Sequence, residues 1–259
     1  MSDLVISEIR RDHIMKLLKD GKRTDGRGLQ DWREINIMTN CIESADGSAR
    51  VKLGKTEVIA GVKIIPGTPF PDTPTEGVLT TGMEFLPMAH PSFEGGPPGE
   101  DAIELARVVD RGIRESKMVD VEALCIEPGE KVWMCFIDMY ALDYDGNLFD
   151  AANLAAVMAL KTAKVPYVQY GLGEEDKPMP ITCTPISVTA CKIDNTLILD
   201  PNFDEEHIST ARLTVTTDDN GNFRAMQKGG KGSITLDELS QCLDASVAKG
   251  KEIRKIIGR

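Results

Sequence analysis

The spacing of apolar and polar residues along the chain predicts an opening helix and then a run of strands. Residues 3–20 carry apolar side chains at helical intervals and Gly21 follows them, so this segment is predicted to be an amphipathic helix. Strands are predicted where apolar residues alternate with polar ones or form short runs, at 35–37, 49–53, 57–65 and 78–86. Pro66 is expected to end the third strand, because proline cannot donate a ladder hydrogen bond.

The second half of the chain repeats this order of strands followed by a helix. Further strands are predicted at 124–126, 132–142, 181–183, 186–193 and 197–199, and a hairpin over 213–227. Helices are predicted at 153–163 and after Thr235, where Thr235-x-x-Glu238 forms a capping box.

A helix is also predicted over residues 100–117, because this segment starts with acidic and ends with basic side chains, as the helix dipole favours. Arg107, Arg111 and Arg114 follow one another at i, i+4 and i+7 and therefore share one face. Like charges at this spacing repel by roughly a few tenths of a kcal/mol. Two explanations are open, namely contact with an external polyanion or pairing within the helix. The acids available for such pairing are Glu104, Asp110 and Glu115.

The turn between the strand at 132–142 and the next helix has the position of an anion site but not its chemistry. A helix N-terminus offers free N–H groups and the positive end of the dipole. Small, cationic or hydroxylic side chains would suit an anion, whereas this turn carries Leu148 and Phe149. It also carries three carboxylates, Asp143, Asp145 and Asp150. Asp150 is interpreted as a cap or dipole partner of the helix.

Composition and charge narrow the possible functions. The 259 residues are 41% hydrophobic and 27% charged, which is typical of a soluble globular protein. No apolar run reaches the roughly 20 residues of a membrane span and no signal peptide is recognised, so a cytoplasmic location is expected. The formal net charge of −11 argues against an independent nucleic-acid binder.

Several kinds of site are excluded, and no metal or cofactor is expected. The three histidines are scattered, which gives no zinc-ligand spacing, and no G-x-S-x-G motif supports a serine hydrolase. Asp143-x-Asp145-x-Asn147 begins like a calcium loop, but Leu148 and Leu154 stand at positions that require glycine and glutamate. The six cysteines form no C-x-x-C pair and are expected to be mostly buried, reduced thiols.

Two polar segments have a plain interpretation as solvated loops. The first is the turn over residues 22–28, which contains an Asp-Gly reversal. The second is a group of acids that could also be the remnant of an acidic site. Its members are Asp194, Asp200, Asp204, Glu205 and Glu206.

Four motifs, taken in order and at their spacing, together resemble the RNase PH-like phosphorolytic exoribonucleases. They are Arg23-x-Asp25-Gly26-Arg27, Gly47-Ser48-Ala49-x-Val51-x-x-Gly54-x-Thr56-x-Val58, Leu105-Ala106-Arg107-x-x-Asp110-Arg111-x-x-Arg114, and Asp145-Gly146-Asn147 with Ala151-Ala152. The resemblance spans nearly the whole chain. Within the family, the chain looks similar to the larger, non-catalytic RNase PH-like subunits of archaeal exosomes.

The resemblance implies a degenerate phosphate site at Asn147, Leu148 and Phe149. Catalytic members carry Gly-Gly-Ser/Thr-Arg here, so Leu148 replaces the hydroxyl donor and Phe149 the arginine. Because phosphorolysis needs phosphate held in line with the phosphodiester, no catalytic residue is expected. Asp200 and Glu206 stand where catalytic members place two acids and are expected to be a remnant acidic site. The alternative is an active phosphate-dependent 3′–5′ exoribonuclease with an unusual phosphate site.

The resemblance also implies an α+β, RNase PH-like fold of the ribosomal protein S5 domain 2-like type. It implies one domain over residues 1–259, built of two β–α halves at about 22–117 and 118–259. Each half would be a mixed sheet with helices packed on one face, which agrees with the repeated order of strands and helix.

The expected partners follow from the same resemblance. They are a catalytic RNase PH-like exosome subunit, RNA-binding cap subunits and single-stranded RNA, with no membrane. Three heterodimers would form a hexameric ring in which Arg107, Arg111 and Arg114 bind RNA. A local basic patch in a composite channel would reconcile RNA contact with an acidic chain. A plain acidic scaffold without RNA contact is the remaining alternative.

Overall fold

The alternating segments of the first half form one mixed sheet. In the computed structural model, which describes residues 8–258, this sheet has six strands in the order β1-β2-β3-β6-β4, with β5 paired to β6. The strands are β1 (Ile35–Thr39), β2 (Gly47–Leu53), β3 (Thr56–Gly67), β4 (Val78–Phe85), β5 (Cys125–Glu127) and β6 (Lys131–Asp143). The pairing of β4 with β6 is parallel, and the others are antiparallel.

The prediction that Pro66 ends β3 was wrong, because β3 continues to Gly67 and Pro66 stands opposite Trp133 of β6. The pairing of β2 with β3 stops at Val62, so Pro66 lies on a stretch with only one neighbouring strand. A residue without an N–H is tolerated at such an edge position.

The second half supplies a four-stranded antiparallel sheet. A two-stranded ribbon, β7 (Lys164–Val165) and β8 (Lys177–Pro178), precedes it. The sheet contains β9 (Ile186–Ile193), β10 (Thr196–Leu199), β11 (Ala211–Thr217) and β12 (Phe223–Gly229), in the order β10-β9-β11-β12. The predicted hairpin is therefore confirmed, whereas the predicted strand at 181–183 is only a single bridge between Ile181 and Val119.

Five α-helices occur within residues 8–258. They are α1 (Glu8–Lys19), α2 (Glu100–Glu115), α3 (Leu148–Thr162), α4 (Phe203–Ile208) and α5 (Leu236–Ile257). The predicted helix over 3–20 agrees with α1 where it can be compared, and residues 3–7 lie outside the described residues. The capping box at Thr235 and Glu238 is confirmed, and α4, which was not predicted, opens with a second one at Asn202 and Glu205.

The core is built around α3, which packs against β2, β3, β9 and α2. Nearly every residue of α3 is buried, including both residues of its apolar start, Leu148 and Phe149. The prediction that this helix starts at residue 153 was wrong by five residues, because the apolar turn residues are themselves part of the packed helix. The first sheet takes in β5 and β6, so a division of the chain by sheets falls after β6 rather than near residue 118.

A search of residues 8–258 finds no helix that is both long and apolar enough to cross a membrane.

Candidate functional site

The turn before α3 is buried and tightly bent. Gly146 has a φ of +83°, and a Cβ added there would lie 2.4 Å from the carbonyl carbon of Asn202. Asn147 follows in the left-handed region with φ 57° and is fully buried. Its side-chain amide donates to Asp150 and to Asp200, both at 2.8 Å. A glycine followed by an asparagine permits this bend, since these residues tolerate positive φ.

Asp150 connects α3 to the second sheet. One carboxylate oxygen accepts from the Thr189 backbone N–H at 2.9 Å, and the other accepts from the Thr189 hydroxyl at 2.8 Å. Burial raises the pKa of Asp150 to about 7, although the hydrogen bonds from Asn147 and Thr189 lower it. Asp150 lies in the first helical turn, as a dipole partner would, but its side chain caps no backbone N–H of the helix.

The protein's own Glu206 carboxylate occupies the anion position at the start of α3. The Asn147 backbone N–H donates to Glu206 Oε2 at 2.9 Å, and the Tyr144 hydroxyl donates to the same oxygen at 3.2 Å. Burial, together with the Glu206 charge, raises the pKa of Tyr144 well above its usual range. An external phosphate would therefore meet a negative charge that is already hydrogen-bonded at the turn.

Leu148 and Phe149 face an apolar cavity and offer no donor side chain. They line it together with Phe85, Phe93 and Leu105. The guanidinium of Arg212 also lines the cavity and lies over the Phe149 ring at 3.8 Å from its centroid. Because Arg212 is already paired with Glu104 at 2.8 Å, its charge is not free to hold phosphate beside the turn.

Asp200 is fully buried and surrounded by donors. It accepts from Arg33 Nη2 at 2.7 Å and from Arg33 Nε at 2.9 Å, as well as from Arg27 Nη1 at 2.8 Å. Burial alone would raise the pKa of Asp200, but the hydrogen bonds and charge of Arg33 hold it below 3.8. The interpretation of this acidic group as a solvated loop was therefore wrong for Asp200.

The same correction applies to Glu205 and, within the otherwise largely exposed turn over residues 22–28, to Arg23. Arg23, predicted to lie in a solvated loop, is buried and donates through Nε to Glu205 at 2.9 Å. Its Nη1 donates to the Leu199 carbonyl at 2.8 Å. Polar segments separated by about 180 residues in sequence thus form one buried ionic cluster, which local sequence patterns do not indicate.

The three arginines of α2 differ in their surroundings. Arg114 pairs with Asp110 at 2.9 Å and donates to the Leu79 carbonyl at 3.0 Å, so pairing within the helix accounts for it. Arg107 and Arg111 are exposed, and neither has an ion-pair or side-chain hydrogen-bond partner within residues 8–258. They line an open groove, and its other lining residues are Glu100, Ile103, Glu104, Val108 and Gln227.

Arg33, Tyr144 and Arg212 were not singled out from the sequence. Arg33 lies in an aperiodic stretch before β1, where no local pattern marks it. Arg212 had a weak signal, because it is a charged residue at the start of a strand that is otherwise apolar or hydroxylic. A search of residues 8–258 finds no group of three potential metal ligands.

Comparison with known proteins finds two matching family models. Residues 31–166 match the model of the 3′ exoribonuclease family, domain 1, and residues 183–249 match domain 2 of that family. An exosome complex component Rrp42 from Methanocella arvoryzae is 51% identical over 98% of each chain. One from Thermoplasma volcanium is 54% identical over 97% of this chain and 96% of the relative.

Among solved structures, a chain of the Archaeoglobus fulgidus exosome with RNA bound to the active site is similar throughout. It superposes with a TM-score of 0.94 at 47% sequence identity and covers 96% of this chain and 98% of its own length.

Proposed function

The chain belongs to the 3′ exoribonuclease family of RNase PH-like proteins, and from this premise we propose that it is a non-catalytic, RNA-contacting subunit of an archaeal exosome. In this proposal it helps to form the active site of a catalytic RNase PH-like partner. The partner and this chain form three heterodimers in a hexameric ring, which cap subunits complete. The proposed location is the cytoplasm.

The closed turn before α3 is the observation that carries the non-catalytic role. Phosphorolysis requires donors aimed at inorganic phosphate and at the charge that develops on the scissile phosphodiester. Here the Asn147 N–H is bonded to Glu206, while Leu148 and Phe149 are buried in an apolar cavity. Asp200 is saturated by Arg27, Arg33 and Asn147, so it is not available as an acid or base.

RNA contact is supported by the uncompensated charges of Arg107 and Arg111. They are one helical turn apart and exposed, so both guanidinium groups can reach successive phosphates of one strand. Such contacts add affinity without sequence preference. Arg114 contributes less in this proposal, because Asp110 already neutralises it.

The test of the non-catalytic role is an assay of phosphate-dependent RNA decay. The purified chain is incubated with single-stranded RNA and inorganic phosphate, and the release of nucleoside diphosphates is measured. We expect no release above a phosphate-free blank, and we expect release once the catalytic exosome subunit of the same organism is added. Release by the chain alone that is lost in Glu206→Gln would contradict the proposal and favour an active exoribonuclease with an unusual phosphate site.

A further inference from the structure

Glu104 stands three residues before Arg107 on α2 and is within reach of an intrahelical ion pair with it. It does not form that pair. Its Oε1 accepts from Arg212 of β11 at 2.8 Å and from the side-chain amide of Gln227 of β12 at 3.1 Å. Of the two acids three residues from Arg107, Asp110 is paired with Arg114 and Glu104 is bound to the second sheet.

Three features hold the Arg212 guanidinium in the position where it pairs with Glu104. Its face lies on the Phe149 ring at 3.8 Å from the centroid, an arrangement that favours a cation. Its side chain is only 11% exposed, so the guanidinium is largely shielded from water, whereas the Glu104 side chain is 33% exposed. Gly229, the register partner of Arg212, leaves the space it fills, since a Cβ there would lie 2.7 Å from Nη2.

We propose that Arg212 is a positioning residue that sequesters Glu104, so that Arg107 and Arg111 keep their full positive charge for the RNA backbone. The inference rests on the proposed RNA contact of these two arginines. It also gives Phe149 a role, because the ring that stands in place of a phosphate-binding arginine supports the guanidinium of Arg212. The degenerate phosphate site and the RNA-contacting helix are then parts of one arrangement.

The expected effect follows from electrostatics. Without Arg212, Glu104 can turn toward Arg107 and neutralise one of the two charges that face the groove. For a single-stranded RNA, each phosphate that is no longer neutralised by the protein lowers the slope of log affinity against log salt by about 0.7. A Glu104–Arg107 pair of the strength usual for exposed ion pairs would weaken RNA affinity by about two- to fivefold.

The test compares variants in the ring reconstituted with the catalytic exosome subunit, with labelled single-stranded oligo(A) as the probe. Affinity is measured between about 50 and 200 mM salt. Arg212→Gln is expected to weaken binding and flatten the salt slope. Arg212→Gln combined with Glu104→Gln is expected to restore both, because Asp110, the other acid three residues from Arg107, stays paired with Arg114. A merely structural role of Arg212 would not be rescued by removing its partner.

Arg224→Gln is the matched control for the change in net charge. Arg224 lies on the neighbouring strand and pairs with Asp218 at 2.6 Å, so its loss frees an acid away from Glu104 and should leave binding unchanged. If the Arg212→Gln ring does not assemble, Phe149→Leu keeps the apolar character of the site and removes the ring under the guanidinium. It is expected to weaken binding in the same direction, again with rescue by Glu104→Gln.

The outcomes separate this inference from the function on which it rests. Arg107→Gln should weaken RNA binding whether or not Arg212 positions Glu104. Normal RNA binding by that variant would contradict the RNA contact itself. Weakening by Arg107→Gln with normal binding by Arg212→Gln would overturn only the role of Arg212. Weak binding by Arg212→Gln that persists in the double variant would also overturn it, because Arg212 would then act without Glu104.

Discussion

At the residue scale, acids near α4 serve as partners of buried arginines. Asp200 accepts from Arg27 and Arg33, and Glu205 pairs with Arg23, while Glu206 reaches the start of α3. Buried charges are tolerated when they are paired and hydrogen-bonded, and removal of one partner leaves the other uncompensated. These three acids are therefore a structural connection between the N-terminal segment, the α3 turn and the second sheet.

Asp200→Asn is predicted to lower the free energy of unfolding by about 3–5 kcal/mol at neutral pH, because it leaves Arg33 buried without its counter-charge. Denaturant unfolding measures this change. Asp204→Asn is the control, since Asp204 pairs with the exposed Arg10 and its loss should cost under about 1 kcal/mol. Equal losses in the two variants would show that burial of the Asp200 pair is not what matters.

The pH dependence of Asp200 has a definite sign. Its pKa in the folded protein is held below the ordinary value of 3.8, so its ionised form stabilises the fold above about pH 4. That contribution is lost as the pH falls through the folded pKa. The stability difference between wild type and Asp200→Asn should therefore be largest near neutrality and shrink below about pH 4. A difference that stays constant down to about pH 3 would contradict this assignment.

At the residue scale, the sequence predicted only those features that depend on the chemistry of single side chains. Leu148 and Phe149 could be recognised as unsuited to phosphate, because the argument needs only their side-chain types. The pairing of Arg23 with Glu205 could not be foreseen, since it joins residues 182 positions apart. A charged residue in a polar segment gives no sign of whether it faces water or a distant partner.

At the element scale, α3 is the helix on which both sheets converge, and its approach to β2 requires a glycine. A Cβ at Gly47 would lie 2.5 Å from the Ala159 carbonyl oxygen and 2.6 Å from Ala163 Cα. These are backbone atoms of the helix end, which cannot move as a flexible side chain does. Close packing of this kind also explains why α3 is rich in alanine along its length.

Gly47→Ala is predicted to destabilise the protein by about 1–3 kcal/mol, because the end of α3 must shift away from β2. Gly61→Ala is the matched control on the adjacent strand, where the added Cβ meets only Ile42 and Ala45 at 3.5 and 4.0 Å. That variant should be neutral or slightly more stable. Thermal unfolding compares the two, and equal melting temperatures would refute the close-approach argument.

Elements with strong periodicity were the ones that the sequence predicted well. The strands β2, β4 and β9 and the helices α2 and α5 lie close to their predicted positions, although the buried face of α5 is formed by Cys242, Ser246, Gly250 and Ile253 and its Leu236 is exposed. The start of α3 was missed because Leu148 and Phe149 were assigned to the preceding turn, and the whole of α4 was missed because its acidic residues were assigned to a loop. In the structure, acids of these segments pair with residues of distant segments, as Glu205 does with Arg23. Local helix propensity gives no information on such long-range ion pairs.

At the scale of the whole molecule, the predicted family and the predicted α+β, RNase PH-like fold are confirmed by the family matches and the similarity to an archaeal exosome chain. That prediction rested on the order and spacing of four motifs, which are properties of the whole chain and not of one segment. The formal net charge of −11 remains in apparent conflict with the proposed RNA contact. The pairing of Glu104 with Arg212 reduces this conflict around Arg107, because of the two acids in the α2 groove only Glu100 then lacks this pairing.

The measurement that tests the central claim most directly is RNA decay by the reconstituted ring, with Arg107→Glu and Arg111→Glu combined, at two salt concentrations. Lys251→Glu with Lys255→Glu on the exposed side of α5 makes the same change in charge and serves as the control. The ring should assemble with either pair of changes. Decay should slow only for the arginine variant and for all RNA sequences alike, and its salt slope should fall by roughly 0.7 for each phosphate that is no longer neutralised. Equal decay rates from intact wild-type and arginine-variant rings would show that this chain is a scaffold without RNA contact.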